Sequence, residues 1–545
     1  RFKKIDNKFL LSKSDIENEA YDSLILSDKN IDEIEIPAEV KHISAFAFEK
    51  CLNLRKIKFN DSNLITVGKD AFIECISLEK LIFPSSISSF SSFQFSNFNE
   101  CSLLEHITFP PSIEEIVDYA FYKCHKLKTV IFLESSQLKS INKCAFKYCT
   151  SLEQIKIPSS VQFIKENAFS NCNNLKIVEI SDDSALNFIG ENAFYPTSID
   201  KIYIPSNVEE IGLLAFRNIN NIKNITLSPF NKHFEIVDEK YFIQKKSKKD
   251  EMCNILIKAD ADIEEATIPS YIKRIESYAF NSCFKLKKII IPENSSLQSI
   301  GKFSFYKTLI EEIYIPSKVE TIELGSFLET KIKNIIISDE NKVFKYIDNK
   351  LLINTINNST IFARIDIEDA MIPSYIKKID NFTFYDCQKL KNISFLENSQ
   401  IISFGVEAFR NCSSLVNIEI PSSLKIIDSY CFYSCSALKA ISFDNNSQLT
   451  IIDSKAFKNC ISIQTILIPN SVQYINFGAF KRCYSLKNIE ISNQSKLQKI
   501  DFSVIASTNI KNFTIPSNVQ YFDECLLKDC NYIKKIFISP DNKNF

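Results

Sequence analysis

An internal repeat constrains this chain more than anything else in it. A short pattern, Leu or Ile, two residues of any kind, an apolar residue, any residue, then another apolar residue, recurs twenty-one times between Ile31 and Ile533. Most recurrences lie 22 to 26 residues apart. A unit of that length cannot bury an apolar face alone and becomes stable only when neighbours stack on it. The repeat therefore overrides the expectation that 545 residues form several globular domains.

The unit at 157–180, IPSSVQFIKENAFSNCNNLKIVEI, contains every part. A β-branched strand ends at proline, which cannot donate to a ladder. A second short extended piece ends in Ile. Next comes Ala-Phe-x-x-Cys on one tight turn or 3₁₀ piece, too short for a stable helix. The chain then re-enters the next strand at Leu. Stacked, such units predict a mostly β, α/β-type repeat solenoid with a long parallel sheet on one side. Alternate units carry a turn enlarged by about two residues, as in FLESSQLKSI and FDNNSQLTII, which predicts loop variation on one edge.

Two longer intervals hold a different module, at 231–262 and 341–366, in which short apolar runs flank a polar turn and predict a β-hairpin. Residues 1–30 read as the same module entered partway, and Phe2, Phe234, Phe344 and Phe545 occupy equivalent positions. The expected organisation is one solenoid over 1–545, with repeat blocks 31–230, 263–340 and 367–540, cut from a longer array.

These offsets of Phe, Cys, Leu and Ile-Pro, repeated over essentially the whole chain, resemble the BspA-like, or Treponema pallidum-type, leucine-rich repeat. The resemblance implies a right-handed leucine-rich-repeat superhelix with small inserted hairpins. It also implies a surface-exposed or secreted protein linked to adhesion and host contact. Segments 192–198, 214–220 and 303–309 lack the thiol, and 503–509 lacks both Phe and Cys. No catalytic motif is lost with them, because the family has none.

Thirteen cysteines, from Cys51 to Cys530, sit three residues after the repeat Phe or, at Leu527, its replacement. A disulfide framework would scatter cysteines among loops in paired spacings. Here the thiol lies between a core Phe and a core Leu, and Ile219, Thr308 and Thr330 replace it. A small buried filler fits that slot, with the S–H a weak donor. Cys431/Cys435 and Cys525/Cys530 are the pairs at which bridges would form first.

Little in the chain points to chemistry. His42, His106, His125 and His233 lack metal-ligand spacing. With only 7 glycines, phosphate-cradling loops are scarce, and no nucleophile or dinucleotide motif occurs. Acidic pairs such as Glu114-Glu115 recur in register and so read as solvated faces. No catalytic residue, cofactor or metal is therefore expected. A net charge of −1 selects neither nucleic acid nor an anionic membrane, and no apolar run is long enough to span a bilayer.

What remains is recognition. In each strand pattern the first, fourth and sixth residues face the core, and the fifth points outward. That outward position holds Ile82, Ile131, Tyr203, Ile290, Tyr314, Ile336, Leu467 and Phe537, the candidate partner-binding residues. Strand propensity alone would also place such residues there. The hydroxyls of Tyr203 and Tyr314 are expected to be free for a partner. A lysine ladder after the leading Leu or Ile, including Lys128, Lys176, Lys287 and Lys391, reads as a solvated rim. The expected function is a non-enzymatic surface or secreted binding protein for a protein or glycan of another cell or matrix. The alternative is an intracellular scaffold for protein partners.

Overall fold

Leu152, Ile155, Ile157, Val161, Ile164, Ala168, Phe169, Cys172 and Leu175 are all buried, and together they fill the inside of one coil. They come from three successive segments: the strand Gln154–Lys156 with its flanks, the two-residue strand Phe163–Ile164, and the Ala-Phe-x-x-Cys turn. The computed structural model describes residues 2–14, 21–59, 64–84, 89–90, 98–245, 254–523 and 525–544. The chain divides into two compact units, Arg1–Cys253 and Asn254–Phe545, each built of such coils.

The turn segment forms a hydrogen-bonded wall of its own. Ala145, Lys147 and Cys149 donate their amides to carbonyls three residues back. The alternate amides, of Cys144, Phe146 and Tyr148, donate instead to Glu166, Ala168 and Ser170 of the next coil, at 3.0, 2.7 and 2.9 Å. Aiming every second amide across coils requires left-handed backbone two residues before and two after the Phe. Cys144 and Tyr148 have φ of 55° and 66°, and Tyr430 and Ser434 have 58° and 59°. Non-glycine residues rarely adopt that region, so the stacked bonds must offset its cost. Glycine meets the requirement at Gly325 and Gly478.

Among the described residues there is no α-helix, and the one 3₁₀ segment is Ile222–Asn224. The expected mostly β repeat solenoid is present as stacked parallel coils, whose turns spend alternate amides on the neighbouring coil.

In the second unit the long parallel ladder runs through the second extended pieces, seven strands from Lys378–Ile379 to Tyr521–Phe522, which join the three strands of a hairpin module in one ten-stranded sheet. The Ile-Pro strands pair mostly two by two, for example Asn417–Ile420 with Ala440–Phe443. Within a pair, an amide such as Leu396 N–H donates back to Ile372 O at 3.2 Å. At the equivalent position the next coil carries Pro421, which has no N–H to give. Such breaks follow coils with the enlarged turn.

The hairpin modules form as their sequence predicts. Phe344–Ile347 pairs antiparallel with Leu351–Asn354, which pairs with Ser359–Ala363. Phe2 faces Ser12, Phe234 faces Gln244 and Phe344 faces Asn354, so the three modules share one register. The module is entered through an asparagine. Asn341 donates to Pro316 O and Val319 O of the coil before it and accepts from the Val343 and Phe344 amides. Asn231 and Asn542 make the same pair of donations. Phe545 lies outside the described residues.

Candidate recognition surface

Strand pairing sets the outward residues side by side. Ile82 is in register with Thr108, and Thr108 with Ile131. In the second unit Thr267 pairs with Ile290, Tyr314 with Ile336, Leu467 with Glu490, and Thr514 with Phe537. Ile82, Ile131, Ile290, Ile336, Leu467 and Phe537 are exposed, from 41% at Ile290 to 55% at Leu467. For the first five, buried neighbours one residue away, such as Leu81 and Val130, show the period-two alternation at work, whereas the strand Lys535–Ile538 around Phe537 is exposed throughout. Met371, 55% exposed, occupies the same outward position in register with Ser394 and escaped the sequence reading. Its signal was there: the strand DAMIP fits the pattern.

The two tyrosines differ from expectation. Both are only half-exposed. The Tyr203 hydroxyl is not free, because it donates to Asp182 Oδ1. Partial burial and that hydrogen bond raise the Tyr203 phenol above its ordinary value, and the bond holds the Asp182 carboxyl below its own. Asp182 lies on the enlarged turn of the preceding coil, which stacking brings beneath the ring.

One groove opens on this face in the second unit, about 750 Å³ in volume. Ser394, Glu419 and Ser442 form its outward row, with Asn392, Asn417 and Asp444 beside them. It lies where the ladder breaks between Phe395 and Pro421, and none of the eight candidate residues lines it. The groove arises from missing strand pairing between coils, which a strand-by-strand pattern does not display.

Several rim lysines are paired. Lys128 meets Glu105 at 3.1 Å, Lys287 meets Glu264 at 3.3 Å, Lys333 meets Glu311 at 2.9 Å, and Lys391 meets Glu368 at 2.8 Å. All are exposed, so these pairs add little stability. They neutralise part of the rim, while Lys176, Lys439, Lys487 and Lys511 have no carboxylate partner among the described residues.

The thiols belong to the core. The repeat-slot cysteines are buried and free, Cys431/Cys435 included, and Cys525 is half-exposed and free. Cys253 lies outside the described residues. Each slot thiol bridges coils: Cys172 Sγ donates to Phe146 O at 3.0 Å, and Cys435 Sγ to Phe409 O at 3.1 Å. The slot is therefore not wholly apolar, and a serine there would find an acceptor. Burial pushes the thiols of Cys283 and Cys483 up to about 12, and those of Cys101 and Cys431 well above the ordinary value. That leaves them unreactive rather than activated. Among the described residues no group of three or more His, Cys, Asp or Glu converges as a metal site would. No described helix is long and apolar enough to cross a membrane.

A family model described as a BspA type leucine rich repeat region matches residues 16–149, 132–255, 258–361, 354–467 and 450–545. No curated protein matches the chain. Among solved structures, a leucine rich cell surface protein from Faecalibacterium prausnitzii is 18% identical, covering 99% of this chain and 95% of that one, with a TM-score of 0.37. A leucine-rich repeat protein from Bacteroides ovatus is 18% identical over 98% and 99% of the two chains, with a TM-score of 0.31. The pneumococcal vaccine antigen PcpA is 17% identical over 79% and 88%, with a TM-score of 0.37.

Proposed function

The chain belongs to the BspA-type leucine-rich repeat family, and on that premise we propose that it is a non-enzymatic binding protein of the cell surface or its exterior. Its outward strand face would recognise a protein or glycan of another cell or matrix. One observation carries this reading: exposed Ile82 and Ile131 flank Thr108 on neighbouring coils, and exposed Ile336 stands beside half-exposed Tyr314. Exposed branched and aromatic groups brought together in this way are what a partner desolvates with gain. Surface placement is supported by the family resemblance.

The free thiols favour a second reading, a scaffold in a reducing compartment, where thiols persist unpaired. Locating the complete tagged protein by accessibility to external protease separates the two.

Ile290→Thr with Ile336→Thr tests the strand face better than the tyrosines, because Tyr203 also holds Asp182. Against a panel of immobilised matrix proteins and glycans, this double variant should lose about tenfold in affinity. Its melting temperature should stay near that of the parent, and Lys128→Gln with Lys176→Gln should lose less. The reverse ranking moves recognition to the rim. A panel that the parent chain does not bind at all sinks the reading.

A further inference from the structure

A second surface lies on the turn wall of the second unit, where stacking lines up residues that are far apart in sequence. The residues following the repeat Phe in five successive coils are Tyr385, Arg410, Tyr433, Lys458 and Lys481. Backbone bonds such as Asn411 N–H to Tyr433 O at 2.9 Å, Ser434 N–H to Lys458 O at 2.9 Å and Asn459 N–H to Lys481 O at 3.0 Å hold these coils in step. The result is a half-exposed row alternating rings with cations. The Arg410 guanidinium lies 5.6 Å from the Tyr385 ring and 4.9 Å from the Tyr433 ring, and Lys458 Nζ lies 5.6 Å from Tyr433. Beside this row, Lys455 Nζ sits 4.7 Å from the Tyr430 ring and 5.1 Å from Phe477.

This face differs from the rim at Lys439, Lys487 and Lys511 in setting cations against rings. Arg410 has Glu407 at 3.0 Å, but Lys455, Lys458, Lys481 and Arg482 have no carboxylate partner among the described residues. The nearby acids are engaged elsewhere: Asp453 accepts from Ser429 and Asn476, and Asp501 pairs with Lys499. Partial burial, then Lys455, Arg482 and Lys481, pull the Lys458 ammonium below its ordinary value. Gly478 opens a notch between two of these cations. A Cβ there would lie 3.6 Å from Lys455 Cγ and 3.7 Å from Lys481 Cδ, while the preceding coils carry Tyr430 and Lys455 at that position. Lys455 and Lys458, held on rings, with Lys481 and Arg482 beside them around the notch, are preorganised for anionic groups spaced along a line.

We propose that the turn face from Arg410 to Arg482 binds a linear polyanionic glycan, sulfated or uronate-bearing, whose anionic groups pair with Lys455, Lys458, Lys481 and Arg482. A single-stranded nucleic acid fits less well, because it needs open ring faces for base stacking, and the protein's own cations lie over Tyr430 and Tyr433. This site is independent of the strand-face reading, since it uses different residues on a different wall of the coil.

The test uses the full chain and a heparin oligosaccharide as probe, with desulfated heparin, single-stranded RNA and anionic vesicles alongside. Lys458→Gln, Lys481→Gln and Arg482→Gln together should cost about tenfold or more in heparin affinity at physiological salt. Removing the same charge from the rim, with Lys439→Gln, Lys487→Gln and Lys511→Gln, should cost less than about threefold. Tyr433→Leu keeps every charge but frees Arg410 and Lys458, and should cost about two- to fivefold. The Ile290/Ile336 variant should bind heparin unchanged. Equal loss from the two charge-removal triples overturns the proposal, as does a parent chain that ignores heparin. Tighter binding of RNA or of vesicles overturns it in favour of that partner.

Discussion

Two runs of coils in the second unit solve the same packing problem differently. From Phe384 to Phe480, five rings stack at 4.9 to 5.3 Å and within 7° of parallel. From Phe280 to Phe327, three rings sit at 4.9 and 6.0 Å, tilted by 21° and 16°. The regular run has a cysteine in every slot, whereas the irregular one has Thr308 and Thr330 after the rings of Phe305 and Phe327. Cys412 and Cys435 reach back to the Phe carbonyl of the preceding coil. Thr308 and Thr330 turn back on their own coil, bonding Phe305 O and Phe327 O at 2.9 and 2.7 Å. Thr197 and Thr508 do the same in other coils. All four threonines stand one residue closer to the next core Ile than the slot cysteines stand to their Leu or Ile. A shortened turn thus goes with an inward-bonding hydroxyl, and a full turn with a thiol that ties neighbouring coils together.

Alkaline pH should separate the runs most. A buried thiol near 12, such as Cys483, stays protonated while the unfolded chain ionises above about 9. The folded state then holds more protons, so stability is intact below about pH 9 and falls as pH rises toward 12. Each thiol raised as Cys483 is should cost about 1.4 kcal/mol per pH unit across that window. Pulse proteolysis at pH 10.5 should therefore make its first new cuts within 384–483 and spare 303–330. First cuts in the threonine coils would break the comparison.

Ring removal comes next in size. Phe432→Ala, with rings at 4.9 and 5.1 Å on its two sides, should cost about 3–5 kcal/mol. Phe327→Ala should cost less, because its one stacked neighbour is at 6.0 Å. Repeat arrays need not unfold in two states, so urea unfolding should be followed by hydrogen exchange in each coil. Equal costs would mean that stacking geometry contributes little beyond burial.

The smallest effect distinguishes the two slot chemistries. Thr308→Val keeps volume, Cys412→Val adds one γ carbon, and each removes one donor, at about 0.5–1.5 kcal/mol for the donor. Thr308→Val should speed amide exchange in its own coil alone. Cys412→Val should speed it in the coils of both Phe384 and Phe409. If both variants stay local, the thiol is a filler and not a tie.

Much of this was legible one coil at a time. The spacing of Phe, Cys, Leu and Ile identifies the core, because a residue facing inward in one coil faces inward in all of them. Alternation in the strands places Ile82, Ile131 and Leu467 outward for the same reason. The direction in which a slot donor bonds was not legible, since Cys435 and Thr330 look equally like small fillers until the acceptor's coil is known. Sequence also missed the groove at Ser394, Glu419 and Ser442, and it left the Tyr203 hydroxyl free although Asp182 lies beneath it.

By itself, then, the sequence determined the coil: its period, its inside and outside, the hairpin modules and the family. Periodic burial is a local property, and twenty-one near-copies state it redundantly. Only the tertiary structure decided what stands beside what on the surface. Arg410, Tyr433 and Lys458 are neighbours because stacking brings successive coils within about 5 Å of one another, and no pattern within a single repeat encodes which side chain its neighbour will carry there.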